Sequence, residues 1–313
     1  MSAFLKNLRP QHCRLIHEIT QNGQLQMAAT ACALSQPAAS RMLAEIERSL
    51  GTTLFERGPK GMEPTEAGAL IAVHARRVVD DLNRLDEEFA DWRAGRAGEI
   101  RVGAVTGPAL GELVPAIQWM KTRVPNIDIS IEVAPSAPLV KALELGQIDF
   151  ALARLPPQAD DRLFHIEPAR PEIIRLMVRE GHPMLSQLPV SIADLHDFPW
   201  IMQDRGMPIR RAMEEAFHAE GLNSPANVIT ASSLLLIVAL LRESDAIAPM
   251  SQEVMELMLQ PPVSAGFRNL ALKRTIAVEP YMILRAKGRN LSRAAQMLLD
   301  RVSLLTRQRR DGG

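Results

Sequence analysis

Aromatic side chains are scarce in this sequence: one tyrosine, three tryptophans and eight phenylalanines among 313 residues. Little is therefore available to build an aromatic stacking pocket. Cysteine is nearly absent. Cys13 and Cys32 are too few for a disulfide framework, and the expected compartment is a reducing cytoplasm. Both lie in apolar helical context, which favours buried structural thiols over a redox sensor. No long hydrophobic run exists. The longest extends from Leu234 to Leu241, far short of the ~20 residues that span a bilayer, so no membrane partner is expected. The N-terminal MSAFLKNLRPQH has no apolar core ending at a small-residue cleavage site, so no signal peptide is expected. The seven histidines include no metal-spaced pair, and G-x-S-x-G, P-loop and C-x-x-C motifs are missing. These absences argue against an enzyme and leave no metal or cofactor to expect.

What is present reads as more than one domain, because 313 residues exceed one ordinary compact core. The first third is helical. Pro10 to Gln21 carries Cys13, Ile16 and Ile19 at helical spacing and stops at Asn22-Gly23. Leu25 to Ala33 is a short alanine-rich helix. Another opens at Ser35-Gln36-Pro37, with Ser35 or Gln36 at the cap and Pro37 in the first turn. Its buried stripe is Ala39, Leu43, Ile46 and Leu50, and Gly51 ends it. Residues 52–65 hold Gly58-Pro59 and Gly61 between short flanks, the mark of a β-ribbon or wing.

A long helix follows over 65–94. Ile71, Ala75, Val78, Leu82, Leu85, Phe89 and Trp92 alternate spacings of four and three. That 3.5-residue period favours pairing with a second helix over docking on its own domain. Gly95-Arg96-Ala97-Gly98 forms a short hinge. Beyond it the period changes to strand–helix alternation: strands Ile100–Val105, Ile127–Val133 and Asp149–Ala153 with helices between them imply a parallel sheet. A second run carries strands near 173–178, 200–203, 228–231 and 246–250, with helices near 209–220 and 234–242. A strand over 281–285 and a helix over 291–305 complete the chain, and the tail RQRRDGG is expected to be disordered.

Two short helices joined by a tight turn can lay the second in the major groove of double-stranded DNA. Here that helix offers Gln36, Ser40 and Arg41 to bases and phosphates, Ala38 to a thymine methyl, and its own N-terminus to a phosphate. A solvated helix start would carry the same residues. Charge gives no help: Lys+Arg and Asp+Glu both number 36, and residues 1–68 hold seven basic against six acidic side chains. So neutral a domain must place its few cations well to hold a phosphate backbone.

The surrounding motifs carry a resemblance. Ala28-Ala29, SQPAASR at 35–41, Glu45-Ile46-Glu47 before Leu50-Gly51, LFER at 54–57 and Pro64-Thr65-Glu66-Ala67-Gly68 resemble, in order and spacing, the LysR-type regulators. The likeness is strong over residues 8–68 and one of pattern beyond. It implies a transcriptional regulator with a winged helix-turn-helix (1–68), a linker helix and hinge (69–98) and an effector domain (99–313). That domain is α/β and like periplasmic binding proteins, with subdomain one at 99–161 plus about 270–307 and subdomain two at 162–269. Gln36, Pro37, Ser40 and Arg41 then look like recognition-helix contacts, and Arg57, Lys60 and Thr65 like wing or linker contacts to the DNA backbone. The resemblance further implies a homodimer or homotetramer, with RNA polymerase a further partner. Gln24 departs from the Ser or Thr that usually caps the second helix, at a small cost in helix stability.

A small-molecule effector is expected beyond the carboxyl ends of the strands. Thr106 and Ser136 place hydroxyls at helix starts there, suited to a carboxylate or other small polar group, or serving as plain caps. Arg154 either holds an anionic effector or pins the two subdomains together. Gln203 and Ser232 are the candidates from the second subdomain. The competing reading is a small-molecule receptor or enzyme with the α/β part as its active portion. A receptor would need export, which the N-terminal helices contradict.

Overall fold

The computed structural model describes residues 8–58, 61–93, 98–263 and 266–311. Lys60 and hinge residues 95–97 lie outside these, as do the side chains of Arg57 and Trp92. The chain forms two compact units, Met1–Gly98 with Gly288–Asn290 and Glu99–Lys287 with Leu291–Gly313.

In the first unit, α1 (Pro10–Asn22) starts on a proline and ends at Gly23, whose left-handed backbone directs its N–H to the Ile19 carbonyl. After α2 (Leu25–Ala31) the chain turns through Ala33 at φ 55°, and the Leu34 N–H closes on the Ala29 carbonyl at 2.8 Å. Gln24 stands at the α2 cap without a side-chain capping bond, as its chemistry predicts. Ser35 caps α3 (Gln36–Leu50) by accepting the Ala38 N–H, and Gly51 ends it in the left-handed region. Ala39, Leu43 and Ile46 turn inward onto Ile16, Ile19, Ala28 and Ala29; Leu50, at the last turn, is only half-buried. Strands β1 (Phe55–Gly58) and β2 (Gly61–Pro64) pair antiparallel as the wing.

The long helix α4 (Glu66–Arg93) corrects one expectation. Ala72, Ala75 and Val79 are buried and Ile71 is half-buried, all against this unit's own core, where α1 lies along the helix. The stripe expected to pair with a second helix therefore begins later. Val78, Leu82, Leu85 and Phe89 are 39, 42, 62 and 54 % exposed. Among the described residues of the stripe, these four are the exposed ones.

The second unit holds two lobes. Lobe one contains β3 (Glu99–Ala104), a helical turn Thr106–Pro108, a π turn Ala109–Leu113, α5 (Val114–Arg123), β4 (Asp128–Val133), α6 (Ser136–Leu145), β5 (Phe150–Ala153) and β6 (Phe164–Pro168). Lobe two contains β7 (Glu172–Arg179), β8 (Trp200–Met202), α7 (Pro208–Ala219), β9 (Val228–Thr230), α8 (Leu234–Arg242), β10 (Ala248–Ser251), α9 (Gln252–Leu259), β11 (Phe267–Leu270) and β12 (Ile276–Val278). The chain then returns to lobe one as β13 (Met282–Ala286) and α10 (Arg293–Asp311).

The lobe-one sheet runs β4-β3-β5-β13-β6, with β4, β3 and β5 parallel and the last two pairings antiparallel. Strict alternation lets one strand serve two cores. Phe150 and Leu152 face Leu113, Met120, Leu298 and Val302, whereas Ala151 and Ala153 face Leu139 and Leu143. In lobe two, β7 is flanked antiparallel by β10 on one side and by β11 and β12 on the other.

Sheet membership moves the expected subdomain limits. Those limits assign residues 164–168 to subdomain two and the strand 276–278 to subdomain one. In fact β6 pairs with β13 in lobe one, and β12 pairs with β7 in lobe two. The crossovers are residues 169–171 and 279–281. The tail also differs: α10 continues through Asp311, because Thr306 is buried and Arg307 donates to Glu167 of β6 at 2.8 and 3.0 Å.

Candidate nucleic-acid interface and effector cleft

The capped start of α3 leaves Gln36, Pro37, Ser40 and Arg41 exposed and Ala38 half-buried, while the core takes the opposite face. These five expected contact residues thus lie together in the first two turns of the helix. The wing is fixed from behind by Glu47 of α3, whose Oε1 accepts the Leu54 and Phe55 N–H groups at 2.7 and 3.3 Å. Strand β2 rests on the α1–α2 turn, where the Met62 N–H meets the Gly23 carbonyl at 2.7 Å. Thr65 has a second occupation. Its hydroxyl donates to the Thr53 carbonyl at 2.8 Å and accepts the Gly68 N–H at 3.0 Å, so it caps α4 and ties it to the wing. Cys13 is buried and Cys32 half-buried, and burial pushes both thiols up, away from the reactive thiolate.

In lobe one the three expected effector residues are brought to one sheet end. Thr106 follows β3, Ser136 follows β4 and Arg154 follows β5, and these strands are neighbours. Thr106 is exposed at the first helical turn. Ser136 Oγ accepts the Arg154 N–H at 3.0 Å, which leaves its own proton to donate. The Arg154 side chain is turned to the crossovers: Nε donates to the Glu279 carbonyl at 2.8 Å and Nη2 pairs with Glu172. It pins the hinge. In lobe two, Gln203 and Ser232 follow the paired parallel strands β8 and β9. Arg210, buried at the start of α7, braces both strand ends through the Gln203 carbonyl at 3.0 Å and Thr230 Oγ1 at 3.3 Å.

Sequence reading missed the charged group behind these strand ends. Arg170 donates through Nε and Nη2 to Glu112 Oε1 at 3.0 and 2.9 Å, and through Nη2 to Glu253 Oε1 at 2.5 Å. Glu112 belongs to the π turn of lobe one, Arg170 to a crossover and Glu253 to α9 of lobe two. Burial pushes the Glu112 carboxyl up, with Arg170 pulling it part of the way back. Burial and the neighbouring Glu112, with which its hydroxyl interacts, raise Tyr281. Separations of 58 and 83 positions hide this cluster from any local pattern. The one local signal is the glycine pair: a Cβ at Gly107 or Gly111 would run into Glu172, Glu253 or Arg170.

A winged helix-turn-helix on a long helix, joined to a two-lobed α/β domain with polar strand ends, defines a ligand-responsive transcriptional regulator. The chain belongs to the LysR family, matching "Bacterial regulatory helix-turn-helix protein, lysR family" over residues 10–69 and "LysR substrate binding domain" over residues 93–304. It is similar to the HTH-type transcriptional regulator GbpR of Azospirillum brasilense, 34% identical over 298 residues, 95% of this chain and 86% of that regulator. GbpR of Rhizobium radiobacter is 36% identical over 249 residues, 79% of this chain and 82% of that one. Among solved structures, a cysteine-to-aspartate variant of full-length OxyR from Pseudomonas aeruginosa shares the fold with a TM-score of 0.62 at 21% identity, covering 96% of this chain and 97% of that one. The protein is thus a LysR-type regulator with a helix-turn-helix DNA-binding domain and an effector-binding domain, and its relatives are regulators rather than enzymes. Among the described residues, no helix is long and apolar enough to cross a membrane.

Proposed function

We propose that this regulator is cytoplasmic, pairs as a homodimer through the open face of α4, and reads two operator half-sites with α3 in the major groove. The supporting observation is the first two turns of α3, where Gln36, Pro37, Ser40 and Arg41 are exposed at a capped helix start. Arg57 and Lys60 of the wing serve the phosphate backbone. Thr106 and Ser136 receive a small polar effector, with Gln203 and Ser232 the contacts from lobe two, and Arg154 acts mainly on the crossovers between the lobes.

Arg41→Ala should weaken specific operator binding by ~1–3 kcal/mol with unchanged far-UV circular dichroism. An unchanged gel-shift affinity in that variant removes Arg41 from the interface. Pairing is tested separately by Leu82→Glu. A carboxylate there would lose its hydration in the seam without a counter-charge on the partner helix. The variant should dissociate in sedimentation and lose operator affinity, because one reading head cannot span half-sites roughly 34 Å apart. Sedimentation of an intact oligomer would count against pairing through α4.

A further inference from the structure

The DNA-binding unit contains a cavity that neither the helix-turn-helix nor the wing accounts for. It has a volume of ≈ 250 Å³ and lies between α1, the turn after α2, α3 and α4, with Arg14, Cys32, Leu34, Met42, Val79 and Leu82 among its walls. Val79 is buried, Cys32, Leu34 and Met42 are half-buried, and Arg14 and Leu82 are exposed. Met42 follows Ser40 by two positions, roughly 200° round a helix of 3.6 residues per turn. The cavity therefore lies on the side of α3 away from Ser40, with room for a large apolar side chain.

Leu82 belongs to two features at once. It is a wall of the cavity and a member of the exposed stripe Val78, Leu82, Leu85 and Phe89. The cavity is thus continuous with the open face of α4. That face alone is small for a stable pair. Its four partly exposed side chains offer on the order of 100 Å² each, against the ~800 Å² that each partner gives to a standard interface. The walls of the cavity extend the same apolar surface, and a pocket that seats one side chain is the usual anchor of an interface. Charge agrees with this. Arg14 is the charged residue of the lining, and Asp86 is exposed between Leu85 and Phe89, so a second stripe laid here carries a carboxylate to the side of the unit that holds Arg14.

We propose that the cavity is a seat for a second copy of this chain: an apolar side chain of the partner's α4 stripe enters it, and the paired surface extends from α4 onto α1 and α3. The inference rests on pairing through α4 and goes further by placing the recognition helix itself in the interface. In a twofold pair each copy fills the other's cavity. Met42 then touches the partner while Ser40 and Arg41, in the same helix, face DNA. The bearing of one reading head on the other is set by direct contact with α3 rather than by α4 alone.

Cys32 reports on the cavity, with the buried Cys13 as internal reference. Iodoacetamide labelling of the full-length protein is followed at each cysteine by mass spectrometry, with sedimentation in the same buffer. Alkaline pH is needed because burial pushes the Cys32 thiol up. Cys32 should label several-fold more slowly in the paired protein than in diluted protein or in Leu85→Glu, which leaves the walls unchanged. Cys13 should label equally slowly in all three. If Leu85→Glu sediments as a monomer and Cys32 labels at the rate of the paired protein, pairing through α4 stands and the seat is overturned. Slow labelling that persists in the monomer and is relieved by removing residues 1–7 overturns it too, with the chain's own N-terminal segment as occupant. If Leu82→Glu and Leu85→Glu both stay paired, the α4 reading itself fails and the seat falls with it.

Discussion

Arg170→Met should destabilise the effector domain by about 3–5 kcal/mol, the range for breaking a buried ion pair from one side. Methionine fills much of the arginine stem's volume, so the loss is electrostatic rather than a cavity. The guanidinium gives three hydrogen bonds to two buried carboxyl groups, Glu112 of lobe one and Glu253 of lobe two. Removing it leaves both buried carboxyl groups without that partner. Arg170→Lys should recover only part of the loss, since a single ammonium cannot reproduce the planar fork that reaches both lobes. Adding Glu253→Met to Arg170→Met should regain stability, because the stranded charge is then gone too. Urea unfolding of the three variants against the unmodified protein measures this. A single Arg170→Met midpoint equal to the parent's would mean that the bridge contributes nothing.

The sequence shows local features and conceals those that depend on what covers them. The start of α3 was readable because Ser35, Pro37 and the stripe Ala39, Leu43, Ile46 are all set within a few turns of one helix. The apolar stripe of α4 was readable as a stripe, but not its partner. Ala75 and Leu82 fit one period, yet α1 covers the first and leaves the second open. Strands β6 and β12 escaped because each is short and gains its place from a partner more than a hundred residues away, β13 for one and β7 for the other. At the effector site the same division holds. Thr106, Ser136 and Arg154 each follow a strand, so parallel pairing brings them together by rule. Arg154's turn toward Glu172 and Glu279, and the whole Glu112–Arg170–Glu253 bridge, arise from the way the crossovers meet. No period encodes that.

Gly68→Ala should be among the most damaging changes in the DNA-binding unit, although a helix ordinarily gains about 1 kcal/mol from that substitution. Gly68 lies in the first turn of α4, where the backbone takes no left-handed conformation and alanine would suit the helix. The obstacle is space. A Cβ there would lie 1.9 Å from the Leu54 carbonyl oxygen and 2.9 Å from its carbon, both backbone atoms that cannot swing aside. Leu54 is itself fixed: it is fully buried, its N–H is held by Glu47, and its carbonyl takes the Thr65 N–H at 2.9 Å. Relief requires α4 to lift from the wing, which would also pull apart the Thr65 cap. The cost should reach or exceed the upper end of the ~1–3 kcal/mol typical of overpacking, well beyond the propensity gain. Operator binding should fall with it, since the wing and α3 share the core that α4 closes. Chemical unfolding of the full chain gives the sign directly. A Gly68→Ala protein as stable as the parent would show that the α4–wing contact yields freely, and that the glycine is there for another reason.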